Sequence, residues 1–202
     1  MTNETHRQFD PWRPSPLKEE SREQILASHY FNVDRVKLES VQAGSIERTI
    51  VHVNNGDEVA VLAVTEDGRL PLVEQYRVPI HRWTLEIPGG HAKDPDERPL
   101  DVARRKLHEE GGYEAERFSQ IARYIGAPGF STMYTSLYYA TGLTPAARTE
   151  IGPETPRSEV RLYTVDEAMR MVLNGTIIDA KSIIAIQRLY AGLSEGEDEP
   201  EA

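Results

Sequence analysis

The chain has 202 residues, no cysteine and a formal net charge of −10. That length suits one domain with a sizeable core and a short arm, and the lack of thiols excludes disulfides and thiolate metal sites. No apolar run approaches the roughly 18 residues of a membrane span, no signal-peptide pattern opens the chain, and the acidic balance argues against nucleic acid as a partner. The expectation is a cytoplasmic protein with no membrane partner.

In chain order, residues 1–15 are polar and proline-rich and read as a flexible arm. Ser15-Pro16 predicts a helix through about Ser28, with Ser15 as its N-cap. From Arg35 the pattern turns β-rich, with strands predicted over Arg48–Val53, Val59–Thr65 and Leu70–Arg77. Asn54-Asn55-Gly56-Asp57 and Glu66-Asp67-Gly68-Arg69 separate them as turns. Trp83–Ile87 is a further short strand. A helix is predicted from Pro99, which fits a first turn, to a stop at Gly111-Gly112. Leu100, Ala103 and Leu107 share its apolar face.

Beyond it, Tyr134–Thr141 and Val160–Thr164 read as strands, joined by a loop over Thr144–Arg157 rich in Pro, Gly and Thr. Thr164-Val165-Asp166-Glu167 has the form of a capping box opening a helix to about Leu173. A last helix runs from about Ala180 to Ala191 before Gly192, and an acidic tail follows that reads as disordered. Irregular alternation of strands and helices predicts a mixed sheet with helices on both faces. The expected organisation is an N-terminal arm over residues 1–30, one domain over 31–193 and the tail over 194–202.

The most specific stretch is GGHAKDPDERPLDVARRKLHEEGGY, from Gly89 to Tyr113. It resembles the Nudix box, Gly-x5-Glu-x7-Arg-Glu-U-x-Glu-Glu-x-Gly-U, where U is bulky and apolar. Glu97, Arg105, Leu107, Glu109, Glu110, Gly112 and Tyr113 fall on the pattern. The loop His91–Asp96 is one residue longer than the pattern, and Lys106 stands where the first glutamate of the Arg-Glu pair belongs. The resemblance implies an α/β/α Nudix sandwich and a hydrolase of nucleoside diphosphates linked to another group. It assigns Mg²⁺ or Mn²⁺ to Glu109, Glu110 and the backbone carbonyl of Gly89. It also implies an ion pair between Arg105 and Glu97 that holds the box loop on its helix.

Outside the box, Glu74-Gln75-Tyr76-Arg77, Leu85-Glu86-Ile87-Pro88-Gly89-Gly90, Pro128 and Gly175-Thr-Ile-Ile-Asp179-Ala-Lys181 resemble ADP-ribose pyrophosphatases. This implies a nucleoside diphosphate sugar as substrate. Arg77 is the candidate phosphate ligand, because a guanidinium presents a rigid fork to phosphate oxygens. The ordinary alternative is an arginine paired with a nearby carboxylate. Glu86 lies near substrate or metal in that group, or else supports them from behind. The base that activates water is expected on the loop before Val160. Glu150, Glu154 and Glu159 are available there, and aligning Val160-Arg161 with the strand start favours Glu154 over Glu159. Trp12, Phe31 and Trp83 are candidates to stack on the base, and the resemblance implies a homodimer.

Lys106 divides two readings. A fixed ammonium about 4 Å from a unit charge costs on the order of 4 kcal/mol at an effective dielectric near 20, and a divalent ion doubles the charge. Either Lys106 swings outward on its long stem and the chain is a metal-dependent hydrolase, or the chain binds such nucleotides without cleaving them.

Overall fold

The computed structural model describes residues 10–149 and 159–193, together with the backbone of 197–198. Strands β1 (Leu17–Ala27), β2 (Phe31–Ser40) and β3 (Gly44–Val53) form an antiparallel sheet at the N-terminus. The helix expected over Ser15–Ser28 is therefore a strand. Its sequence carries no helical apolar stripe, since Leu17 is followed only by Ile25, Leu26 and Ala27. Cross-strand charges are available to it instead. Arg22 bonds Asp34 at 2.9 Å and Glu23 bonds Arg35 at 3.3 Å across the β1–β2 pair. Pairing of this kind overrides a modest local preference for helix.

The central sheet is built from β4 (Glu58–Ala63), β7 (Gly89–Gly90), β8 (Tyr113–Ile125), β9 (Tyr134–Pro145) and the short β11 (Glu197–Asp198). β4 runs parallel to β9, whereas β8 with β9, β4 with β7 and β11 with β8 are antiparallel, so the sheet is mixed. The tail expected to be disordered contributes β11; its other residues lie outside those described. β5 (Arg69–Arg77), β6 (Arg82–Glu86) and β10 (Val160–Thr164) make a second antiparallel sheet.

β4 explains the layering. After Glu58 its run VAVLA is apolar throughout because both of its faces are covered. Ala60 and Leu62 point into one core with Leu85, Ile87, Leu137, Ile177 and Ile186, beneath α2 (Val165–Leu173) and α3 (Ala180–Tyr190). Val59, Val61 and Ala63 point into a second core with Leu100, Val102, Ala103 and Leu107 of the box helix segment. That segment begins as α1 (Pro99–Lys106), with Pro99 in its first turn as expected. It continues through a wider π turn over Leu107–Gly111 and ends at Gly112, whose φ of 74° is the left-handed cap that a glycine reaches without strain. The result is the expected α/β/α sandwich with a mixed sheet.

The capping box of α2 is present in full, with Thr164 Oγ1 accepting from the Glu167 amide and the Glu167 carboxylate accepting from the Thr164 amide. α3 starts on Asp179, whose carboxylate accepts from the Ser182 amide at 2.9 Å.

Candidate active site

Two groups of charged side chains meet where β4, β6, β7 and the box helix converge. The first belongs to the box. Arg105 grips Glu97 with both edges of its fork, Nε to Oε1 at 2.7 Å and Nη2 to Oε2 at 2.9 Å, and donates to the His91 carbonyl at 3.0 Å. This pins the loop to the helix, and the Arg105 hydrogen bond holds the Glu97 carboxyl below the usual carboxylate range. Lys93 turns back within this loop. Its amide donates to Glu97 at 2.8 Å and its ammonium to Glu109 at 3.0 Å.

Glu109 also accepts from Arg105 Nη1 at 3.1 Å, and Glu110 accepts from the Gly89 amide at 3.1 Å. Lys106 completes the group. Its Nζ lies 3.0 Å from Glu110 Oε1 and 3.4 Å from Glu109 Oε2, with its side chain only 12% exposed. The outward swing considered for Lys106 is not the arrangement found.

The second group surrounds Glu86, which is 2% exposed. Arg77 meets it with Nε to Oε1 at 2.7 Å and Nη2 to Oε2, Thr84 Oγ1 donates at 2.6 Å, and Lys181 Nζ donates at 2.6 Å. Burial alone would raise the Glu86 carboxyl. The hydrogen bonds from Arg77 and the Lys181 charge outweigh it and bring the group down to about 2. Lys181, itself 6% exposed, also contacts Asp179 at 2.8 Å and Glu58 at 3.8 Å. Burial opposes its charge, but these three carboxylates overcome that and hold its ammonium above the ordinary lysine range.

A cavity of about 390 Å³ opens over this second group, lined by Arg77, Glu86 and Lys181 and by Pro79, Ile80 and Tyr124 among others. Burial pushes the Tyr124 hydroxyl up to about 12, so it stays a neutral donor. His91 connects the two groups electrostatically. Burial lowers its pKa, Glu58 opposes that, and Lys106 and Lys181 add to it. Gly89 lies three residues after Glu86 and its amide donates to Glu110 at 3.1 Å, which sets the box carboxylates beside the Glu86 group.

Of the sequence-derived candidates, the region brings together Arg77, Glu86, Gly89, Glu109 and Glu110. Arg77 makes the carboxylate pair that was its ordinary alternative, yet it also lines the cavity, and Glu86 takes only its Nε and Nη2 edge among the described residues. Glu159 precedes β10 with its side chain 76% exposed and 3.8 Å from Arg161. Glu150 and Glu154 lie outside the described residues. Trp83 is half-exposed and packs edge-to-face on Tyr76, while Trp12 and Phe31 stand on the exposed N-terminal part.

Lys181, Glu58 and Lys93 were not expected in the region. One signal for Lys181 was available: a lysine in the first turn of a helix opposes the helix dipole, which implies a strong local partner.

The fold family implies a divalent metal at Gly89, Glu109 and Glu110, and the side chains present can be tested against it. Both carboxylates are already met by cations, from Lys93, Arg105 and Lys106. Among the described residues no group of three or more His, Asp or Glu side chains is arranged to hold a metal ion. In this arrangement the residues do not fit a divalent ion.

An α/β/α sandwich with a glutamate-bearing loop clamped to a helix that ends in paired glutamates defines a class of phosphoanhydride hydrolases. Comparison with known proteins agrees. The NUDIX domain family matches residues 54–185. The chain belongs to the Nudix hydrolase superfamily, among its pyrophosphohydrolases, and resembles the ADP-ribose pyrophosphatase subfamily. It is 31% identical to an ADP-ribose pyrophosphatase of Bacillus subtilis (strain 168), over 84% of this chain and 90% of that one. It is 33% identical to a methanol dehydrogenase activator of Bacillus methanolicus, over 83% of this chain and 89% of that one. A crystal structure of an ADP compounds hydrolase superposes with a TM-score of 0.72 at 21% identity, covering 89% of this chain and 95% of the other, a likeness of fold. Nudix hydrolases in general use divalent cations.

Proposed function

We propose that the protein binds ADP-ribose, or a related nucleoside diphosphate sugar, and hydrolyses its pyrophosphate bond. Water adds to one phosphorus and the bridging oxygen leaves with the other, giving a nucleoside monophosphate and a sugar phosphate. The observation that carries this reading is the cavity beside the box, with the Arg77 fork at its wall and Glu110 held by the amide of Gly89, three residues after Glu86. Two relatives about 30% identical over most of their length are ADP-ribose pyrophosphatases, which supports the same substrate class.

In this reading Arg77 positions a phosphate, with Glu86, itself bonded by Lys181, holding its guanidinium in place. Glu154, or Glu159, activates the water. Mg²⁺ or Mn²⁺ gains Gly89, Glu109 and Glu110 as donors only if Lys106 leaves them. A second reading, nucleotide binding without hydrolysis, is favoured by Lys106 lying between those carboxylates.

The protein is also proposed to be a homodimer. Every residue of β1 is exposed, and the N-terminal sheet carries Ile25, Leu26 and Phe31 at its surface. A three-stranded sheet with so little cover gains a core by meeting a second copy.

The test is to incubate the full chain with a panel of nucleoside diphosphate derivatives and with Mg²⁺ or Mn²⁺, and to follow product formation. Release of AMP from ADP-ribose supports the hydrolase. Binding of ADP-ribose with no product supports the second reading, and neither binding nor product refutes both.

A further inference from the structure

We infer that Lys106 is itself the cation of the Glu109–Glu110 pair, occupying the place of a divalent ion in the wild-type protein. The inference rests on the proposed location of the reaction centre at these carboxylates.

Three observations carry it. The ammonium bridges both glutamates, at 3.4 Å and 3.0 Å, which a surface ion pair does not need to do. The stem lies directly against Gly90: a Cβ placed there would stand 2.5 Å from Lys106 Cε and 3.3 Å from its Nζ, so a larger residue would push the end of the lysine aside. The lysine is therefore laid against the strand that leads into the box rather than extended into water. The surrounding charge is already balanced as well. Glu97, Glu109 and Glu110 contribute −3, and Lys93, Arg105 and Lys106 contribute +3, each within ion-pair distance of a partner in the group. A divalent ion added to this set meets no net negative charge and stands beside a fixed ammonium.

The π turn contributes by geometry. It follows directly after Lys106, and Glu109, at i+3, and Glu110, at i+4, both face the one ammonium, as residues three and four apart do on a helix.

The consequence is a site closed to divalent ions by its own side chain in the nucleotide-free protein and opened by removing that side chain. The experiment titrates Mn²⁺ into the full-length wild type, Lys106→Gln, Lys106→Met and the double variant Lys106→Gln/Glu110→Gln, with no nucleotide present. Bound Mn²⁺ is read by its paramagnetic resonance signal, and thermal melting is followed in parallel. Lys106→Gln is expected to bind Mn²⁺ at least about tenfold more tightly than the wild type and to melt higher as Mn²⁺ is added. The wild-type melting point is expected to stay fixed, and the double variant to lose the gain. Lys106→Met removes the same charge and guards against a folding defect peculiar to glutamine.

Equal Mn²⁺ affinity in the wild type and both single variants overturns the inference. So does a gain that survives Glu110→Gln, because the ion would then bind elsewhere. Nucleotide enters none of these measurements. A failure of ADP-ribose to bind would count against the proposed substrate and leave the Mn²⁺ comparison standing.

Discussion

Glu86 is the residue on which the cavity depends. It is buried, ionised and held by a guanidinium, a hydroxyl and an ammonium at once. Removing one partner leaves charge uncompensated in the interior, which is the costly way to break a buried pair. Lys181→Met is therefore expected to destabilise the fold by about 3 kcal/mol in denaturant titration; a loss below about 1 kcal/mol would show that Arg77 alone suffices.

The acid limb of stability follows from the same carboxylate. Its pKa in the folded protein is depressed from the ordinary 4.5 to about 2. Its contribution is fully present above pH 4.5 and is lost as pH falls toward 2. Denaturation midpoints measured across that window should fall more steeply in the wild type than in Glu86→Gln, and parallel curves would contradict the account.

Arg77 pairs with Glu86 and is proposed to hold a phosphate as well. Arg77→Ala should weaken ADP-ribose binding in calorimetry by roughly 1.5–3 kcal/mol, the worth of hydrogen bonds to a charged group. Unchanged binding in a folded variant would leave Arg77 only its role beside Glu86.

At the scale of elements, the parts legible in the sequence were those with a chemical signature at their ends. The capping box of α2, the Asp179 start of α3, the proline and glycine limits of the box helix and the turns at Gly56 and Gly68 all rest on local geometry. Thr164→Ala should accordingly cost about 1 kcal/mol, with Thr164→Ser nearly neutral, in thermal melts. The elements that escaped are those decided by distant pairing. β1 reads locally as helix and becomes a strand through its backbone pairing with β2, which also sets complementary charges twelve residues on. β8 carries glutamates and arginines through its exposed positions, and its pairing with β9 is what makes it a strand. The box loop gave up its ion pair from spacing alone, whereas the return of Lys93 onto Glu109 depends on a fold of the loop that no spacing encodes. Lys106 was visible as a departure from the family pattern; that it lies flat under the glutamates, across Gly90, required the backbone.

For the whole molecule, the two cores on either side of β4 form a rigid base, and the N-terminal sheet extends from it with β1 uncovered. β3 is tied back by the Phe130–Thr132 segment, with the Val51 amide donating to Phe130 at 2.7 Å and the Thr132 amide to Val51 at 3.0 Å. The sheet is therefore fixed relative to the sandwich and available to a second copy. Sedimentation equilibrium should show a dimer for the wild type and a monomer for Ile25→Asp/Leu26→Asp, whose side chains are exposed in the single chain. A dimer that persists in the variant would place the interface elsewhere.

This Nudix chain is proposed to handle a nucleoside diphosphate sugar at a centre where Lys106 stands in the place of a carboxylate. The most direct measurement follows AMP release from ADP-ribose by the wild type and by Lys106→Glu, side by side, with Mg²⁺. Restoring the carboxylate adds a donor and removes a nearby positive charge, two changes that act in the same direction. The predicted result is AMP released at least about tenfold faster by the variant. AMP release no faster in the variant than in a wild type that is already fast, or no release and no ADP-ribose binding by either protein, would contradict it.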